Sequence, residues 1–214
     1  MKKQLIIFDL DGTLIDTLSD IEHIFNYVLI QNGLEKKSKN FYKKNIGNGL
    51  ENLLRKCLPD NFMGDFELLS KSLRGYYKSQ LNTKTEIYDG ITSVLEHLKK
   101  NQVNMAVISN KLHSLAVKSV NTYFDSYEMK VIGAEGGFPR KPDPNSSLHM
   151  LQHFNCSSSD ALFIGDSIID IKTAQNANIS SVGVLWGNGM EEDFKKQKSD
   201  FIIEKPKDLL SILN

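Results

Sequence analysis

The first patterned stretch of the chain is Leu5-Ile6-Ile7-Phe8, an unbroken apolar run. A run that apolar and that short predicts a strand buried on both faces, as in a parallel sheet covered by helices. After Thr13 the period turns helical. Ile21, Ile24, Phe25, Val28 and Leu29 follow an i, i+3, i+4, i+7, i+8 stripe that Gly33 closes. Leu50, Leu53, Leu54, Cys57 and Leu58 repeat the stripe until Pro59 stops it. Phe66, Leu69, Leu73, Tyr76 and Tyr77 form a third, less regular one. No strand is predicted from Asp16 to Leu81, so this stretch reads as a helical insertion behind the first strand.

From Ile91 the two periods alternate. Helices are predicted through Ile91, Val94, Leu95 and Leu98, through Leu115, Ala116, Ser119 and Val120, over 145–154 and over 168–177. Strands are predicted over 104–108, 129–132, 161–164 and 181–185, and a last strand and helix run through Phe201 and Leu209. Alternation of this kind specifies a parallel sheet with helices on both faces. The expected division is an α/β core of residues 1–15 and 82–214 with a helical unit over 16–81.

Composition narrows the partners. Hydrophobic residues make up 40% of the 214 and charged residues 24%, ordinary for a soluble globular chain. Lys+Arg and Asp+Glu number 26 each, so the net charge is zero. That argues against nucleic acid or a membrane as main partner, since both call for a basic surface. The apolar run behind Met1-Lys2-Lys3 ends at Phe8, too short for a signal-peptide core. Cys57 and Cys156 lie far apart without metal-ligand spacing and read as reduced thiols, which suits a cytoplasmic protein.

Asp9-Leu10-Asp11-Gly12-Thr13 follows the first strand directly. In open α/β sheets ligands bind at this carboxyl edge. Alternate residues of a strand share a face, which puts Asp9 beside Asp11. Two such carboxylates ionise together only with a cation or proton between them. A hard ion such as Mg²⁺ fits, and a carboxylate beside a bound phosphoryl group can be its nucleophile. A plain Asp-Gly turn is the competing reading. Two further strands end in polar residues, Ser109-Asn110 and Gly165-Asp166, and Lys141 lies in the loop after the 129–132 strand. Singly, Ser109-Asn110 and Asp166 read as helix N-caps, Asp170 as a helix-dipole partner and Lys141 as a solvated loop lysine. Together they supply carboxylates for a metal, a hydroxyl and an amide for phosphate oxygens, and an ammonium for phosphate charge, the set that phosphoryl transfer requires.

These residues resemble the four motifs of the haloacid dehalogenase-like hydrolase superfamily: Asp9-Leu10-Asp11-Gly12-Thr13, Ser109, Lys141, and Gly165-Asp166-Ser167 with Asp170. The resemblance implies an α/β Rossmann-like parallel sheet core with a helical C1-type cap inserted after the first strand. The phosphoglycolate phosphatase-like group is the most similar, on Asp16-Thr17, Ile46-Gly47-Asn48-Gly49-Leu50, Tyr88-Asp89-Gly90 and Val184-Leu185-Trp186-Gly187. It implies that Asp9 is the nucleophile and Asp11 the acid that protonates the leaving oxygen and then activates water. It implies a Mg²⁺ ion on the Asp9 carboxylate, the Asp11 backbone carbonyl and Asp166, with Asp170 behind them. Gly12, Ser109, Asn110 and Lys141 are expected to hold the substrate phosphate. Two departures are mild: Asp89 stands where proline is usual, and Asn178, which tolerates a left-handed backbone, where glycine is.

The implied activity is hydrolysis of a small phosphorylated metabolite, 2-phosphoglycolate preferred, by a cytoplasmic monomer or homodimer. Pyrophosphate, a nucleoside monophosphate and phosphosugar mutation on the same motifs are the alternatives. Gly47-Asn48-Gly49 precedes a predicted helix start, and such a turn exposes N–H groups that can take an anion. It is the expected seat of the phosphoglycolate carboxylate if it faces the active edge; a plain turn between helices is the competing reading.

Overall fold

The computed structural model describes residues 3–213. In chain order the elements are β1 (Leu5–Phe8), β2 (Ile15–Asp16), α1 (Leu18–Gln31), α2 (Lys39–Asn45), α3 (Leu50–Cys57), α4 (Phe66–Gln80), β3 (Glu86–Ile87), α5 (Ile91–Lys100), β4 (Asn104–Leu112), α6 (His113–Phe124), β5 (Lys130–Ala134), α7 (Asn145–His153), β6 (Ala161–Gly165), α8 (Ile168–Asn176), β7 (Ser180–Val184), α9 (Glu191–Lys196), β8 (Phe201–Ile203) and α10 (Leu209–Leu213). Six strands form one sheet in the order β5-β4-β1-β6-β7-β8, and every pairing in it is parallel.

Burial of both sheet faces follows from strand alternation. Ile6, Phe8, Met105 and Val107 pack into a cluster on one face; Leu5, Ile7, Ala106 and Ile108 pack into another on the opposite face. A strand with apolar side chains on both faces must be covered twice, and the parallel crossover helices do this. Register then sets the site. Phe8 pairs with Val107 and Ile164, so the residues just beyond it on the three central strands are Asp9, Ile108-Ser109 and Gly165-Asp166. The chain winds outward from β1 through β4 and β5, then returns to β6 on its other side. The resulting switch point is where such sheets bind ligands.

The helical block has its own apolar cluster, which includes Ile24, Phe25, Leu54, Leu73 and the fully buried Tyr42. It reaches onto the core through Leu115 and Leu112. The chain enters and leaves the block through β2 and β3, which pair antiparallel, Ile15 opposite Ile87 and Asp16 opposite Glu86. Buried Asp20 on α1 ties the return path down: it accepts from Thr83 Oγ1 at 2.7 Å, Lys84 N at 2.9 Å and Thr85 Oγ1 at 2.5 Å. No helix among the described residues is long and apolar enough to cross a membrane.

Several expected boundaries move. β4 continues through Ser109, Asn110 and Lys111 to Leu112, with a register shift against β5 after Ile108. Ser109-Asn110 is therefore strand rather than a helix cap; the residue before α6 is Leu112. The stretch expected as a strand over 129–132 is β5, displaced toward Ala134. Helices α2 and α9 carry no stripe because each is short and buries one residue, Tyr42 and Phe194. Asn178 does adopt a left-handed backbone, at φ 54°.

Candidate active site

Asp9, at the end of β1, is almost fully buried, and its Oδ1 accepts from Lys141 Nζ at 2.7 Å. The same ammonium donates to Asp170 Oδ1 at 2.6 Å. Lys141 is thus no solvated loop lysine: it is 4% exposed and runs from the β5–α7 loop beneath the strand ends. Its backbone is fixed by Asn110, whose Oδ1 accepts from Lys141 N at 2.9 Å and whose Nδ2 donates to Lys141 O at 3.2 Å. Asp170 also closes the start of α8, because its Oδ2 accepts from Ser167 N at 3.0 Å and Ser167 Oγ at 2.6 Å. The cap residue of that helix is Ser167, not Asp166.

Asp166 turns into the site. Its Oδ2 accepts from Asn188 N and Nδ2, both at 2.8 Å. Gly12 lets the loop after β1 close on this carboxylate: at φ 94°, a Cβ on Gly12 would overlap Asp166 Oδ2. The Gly12 N–H is spent on Ile15 O at 2.8 Å. Oxygens of Asp9, Asp166 and Asp170 all lie within 4.8 Å of one another. Three carboxylates against one ammonium leave excess negative charge out of water. Burial pushes the Asp9 carboxyl well above the usual range; Asp170 and Asp166 add to this against Lys141. Burial likewise raises Asp166, reinforced by Asp170. Lys141 stays charged because Asp170 and Asp9 outweigh its burial. A dication fits this cluster. Both oxygens of Asp170 are engaged, whereas Asp9 and Asp166 each keep one oxygen without a partner among the described residues.

Asp11 faces the other way, toward the helical block. Its Oδ1 accepts from Lys111 Nζ at 2.8 Å, and Lys111 Nζ also donates to Tyr77 Oη at 3.1 Å. Asp9, Asp11, Ser109 and Lys111 form the floor of a cavity of about 60 Å³ whose roof includes Gly47, Gly49, Leu50 and Tyr77. The loop Gly47-Asn48-Gly49 therefore does reach the active edge, with Gly47 O accepting from Asn110 Nδ2 at 3.0 Å. Gly47 and Gly49 line the cavity, both at positive φ; Asn48 does not line it. A Cβ on Gly49 would strike the Arg140 guanidinium.

A family model for haloacid dehalogenase-like hydrolases matches residues 6–184. The chain belongs to this family. A phosphoglycolate phosphatase of Aquifex aeolicus is 32% identical over 99% of this chain and 97% of its own length. A relative from Caldanaerobacter subterraneus, provisionally named pyrophosphatase PpaX, is 31% identical over 100% of this chain and 96% of its own. A solved structure from Haemophilus somnus, described as a predicted phosphoglycolate phosphatase, superposes with a TM-score of 0.91 at 26% identity, covering 100% of this chain and 99% of that one.

In this haloacid dehalogenase-like hydrolase, four polar groups near the site lie outside the motif residues. Lys111 contacts Asp11, Tyr77 accepts from Lys111, and Asn188 holds Asp166. Arg140 belongs to a charge quartet that joins the helical block to the core. Arg74 pairs with Glu51 within the block and with Glu135 of the core at 2.8 Å, and Arg140 reaches Glu51 at 3.5 Å. Only Lys111 had a local signal, as a cation directly after Ser109-Asn110 in an otherwise buried strand.

Proposed function

We propose that this chain is a Mg²⁺-dependent phosphoric monoester hydrolase that prefers 2-phosphoglycolate. The observation that carries the reading is the placing of Asp9 and Asp11 around one cavity, Asp9 against Lys141 and near Asp166, Asp11 against Lys111. Mg²⁺ would be held by Asp9, the Asp11 backbone carbonyl and Asp166, and supplies positive charge to the phosphoryl oxygens. One oxygen of the Asp9 carboxylate attacks phosphorus while the ester P–O bond breaks. Asp11 gives its proton to the departing oxygen, leaving an aspartyl-phosphate on Asp9. Asp11 then takes a proton from water, which attacks the same phosphorus and frees Asp9. Ser109 and Lys141 bind the phosphoryl oxygens. Gly12 lets the loop approach Asp166, and Asn110 holds Lys141 in place.

The helical block, residues 16–81, acts as a cap that shields the aspartyl-phosphate from bulk water. Gly47-Asn48-Gly49 offers its backbone to the substrate carboxylate. The chain works as a monomer or homodimer on a small metabolite, and its unpaired cysteines suit the cytoplasm. Pyrophosphate is the second reading, supported by the name of the Caldanaerobacter relative. The deciding experiment is kcat/KM with Mg²⁺ for 2-phosphoglycolate, pyrophosphate, sugar phosphates and nucleoside monophosphates. The largest value is expected for 2-phosphoglycolate. A tenfold or greater preference for any other substrate overturns that choice.

A further inference from the structure

The cavity holds a second buried cation that the phosphoryl chemistry above does not use. Lys111 sits on β4, and its side chain is 3% exposed. An ammonium has three N–H donors. One goes to Asp11 Oδ1 and one to Tyr77 Oη, and no described residue takes the third. Phe25, Leu53 and Leu115, which line the same cavity, have apolar side chains and offer it no acceptor. A buried charge with an unfilled donor is costly unless something completes it.

The missing acceptor has a defined position. On the mechanism proposed above, Asp11 meets the leaving oxygen, so Lys111 Nζ lies within about two hydrogen-bond lengths of that oxygen. A carboxylate on the carbon next to the ester oxygen places its own oxygens about 3 Å from it. It therefore spans the gap to Lys111 without further atoms. Gly47 and Gly49 line the same space but bring no charge.

We propose that Lys111, aimed by Tyr77, binds the carboxylate of the leaving group and is the residue that selects 2-phosphoglycolate over uncharged esters. This rests on the phosphatase reading, and its test separates the two. Wild type, Lys111→Met and Lys111→Arg are assayed with 2-phosphoglycolate and with ethyl phosphate, which has a methyl group where the former has its carboxylate. Lys111→Met slows both, since Asp11 loses a partner. The ratio of the two kcat/KM values is expected to fall a further 10- to 100-fold, as for a lost charge-assisted hydrogen bond, mostly through KM for 2-phosphoglycolate. Lys111→Arg should restore part of the ratio. An unchanged ratio overturns the proposal and leaves Lys111 a partner of Asp11 only. A wild type without preference for 2-phosphoglycolate removes the substrate reading, while the response of the ratio still decides Lys111. Should Lys111→Met fail to fold, product inhibition of the wild type gives the answer. Glycolate is expected to compete at least tenfold more tightly than neutral glycolamide, and equal inhibition overturns the proposal.

Discussion

Asp170→Asn separates two duties that one carboxylate performs. Oδ1 holds Lys141 at 2.6 Å and Oδ2 closes the start of α8 through Ser167. An asparagine side chain offers one acceptor oxygen and an NH₂ that only donates. With its oxygen toward Lys141, the NH₂ meets the Ser167 N–H; turned the other way, it meets the Lys141 ammonium. Position 170 is 1% exposed, so water does not fill the gap. One hydrogen bond to a charged group is lost, about 1.5–3 kcal/mol. In a chain of this size that lowers Tm by roughly 3–12 °C. If the pair aims Lys141 at the phosphoryl group, the same loss lowers kcat by roughly 10- to 150-fold. The assay is phosphate release from 2-phosphoglycolate at saturating Mg²⁺, with calorimetric melting of the same samples. Ser167→Ala is the comparison: it breaks only the Oγ bond, so Tm should drop while kcat stays within threefold. An Asp170→Asn enzyme with a lowered Tm but kcat within threefold of wild type would refute the coupling of Asp170 to catalysis through Lys141.

Three further outcomes are expected. Asp9→Asn should abolish turnover and leave the melting profile cooperative; activity within tenfold of wild type, in protein free of deamidation, is incompatible with an aspartyl-phosphate. Asp11→Asn should slow hydrolysis by about 10²–10⁴-fold while calorimetry still shows Mg²⁺ binding, because the proposed ligand there is a backbone carbonyl; lost affinity would make the side chain a ligand. EDTA should silence the enzyme and Mg²⁺ restore it, and the metal should raise Tm more near pH 8 than near pH 6. The sign follows from Asp9 and Asp166, whose carboxyls lie above their unfolded values. Between those two values the folded state binds more protons, so the metal-free protein loses stability as pH rises, and a cation that displaces the protons reverses the loss. A metal-induced shift independent of pH would contradict this.

What could be read in advance divides by the range of the interaction. β1, β6 and the stripes of α1 and α3 were legible because burial writes a local period into the residues. Asp9 and Asp166 were legible as polar residues just beyond strand ends, and Lys141 only jointly with them, as a cation in the loop that follows β5. The Arg74–Glu51–Glu135–Arg140 quartet was not: it links α3, α4 and the β5–α7 loop, and no spacing along a chain encodes a contact between surfaces that meet only after folding. Tyr77 was read as part of an apolar stripe, which its ring obeys, while its hydroxyl serves Lys111. Asn110 was read as a phosphate ligand, but its amide is committed to Lys141 and Gly47, partners that a sequence does not reveal.

The pairing of β2 with β3 has a consequence for how such chains are assembled. Asp16 and Glu86 face each other across an antiparallel ribbon, so everything between them leaves and rejoins the core at one point. Strands so paired stand about 4.8 Å apart, a gap that a two-residue turn closes. The six-stranded sheet takes no strand from the helical block, so a change in the block's length leaves every pairing in that sheet as it is. The core side of the seam presents Leu112 and Leu115 as its apolar contacts and Asn110, Lys111, Glu135 and Arg140 as its polar ones. A grafted module would have to cover the two leucines, answer the charges of Glu135 and Arg140 and offer a roof to Asp11 and Lys111.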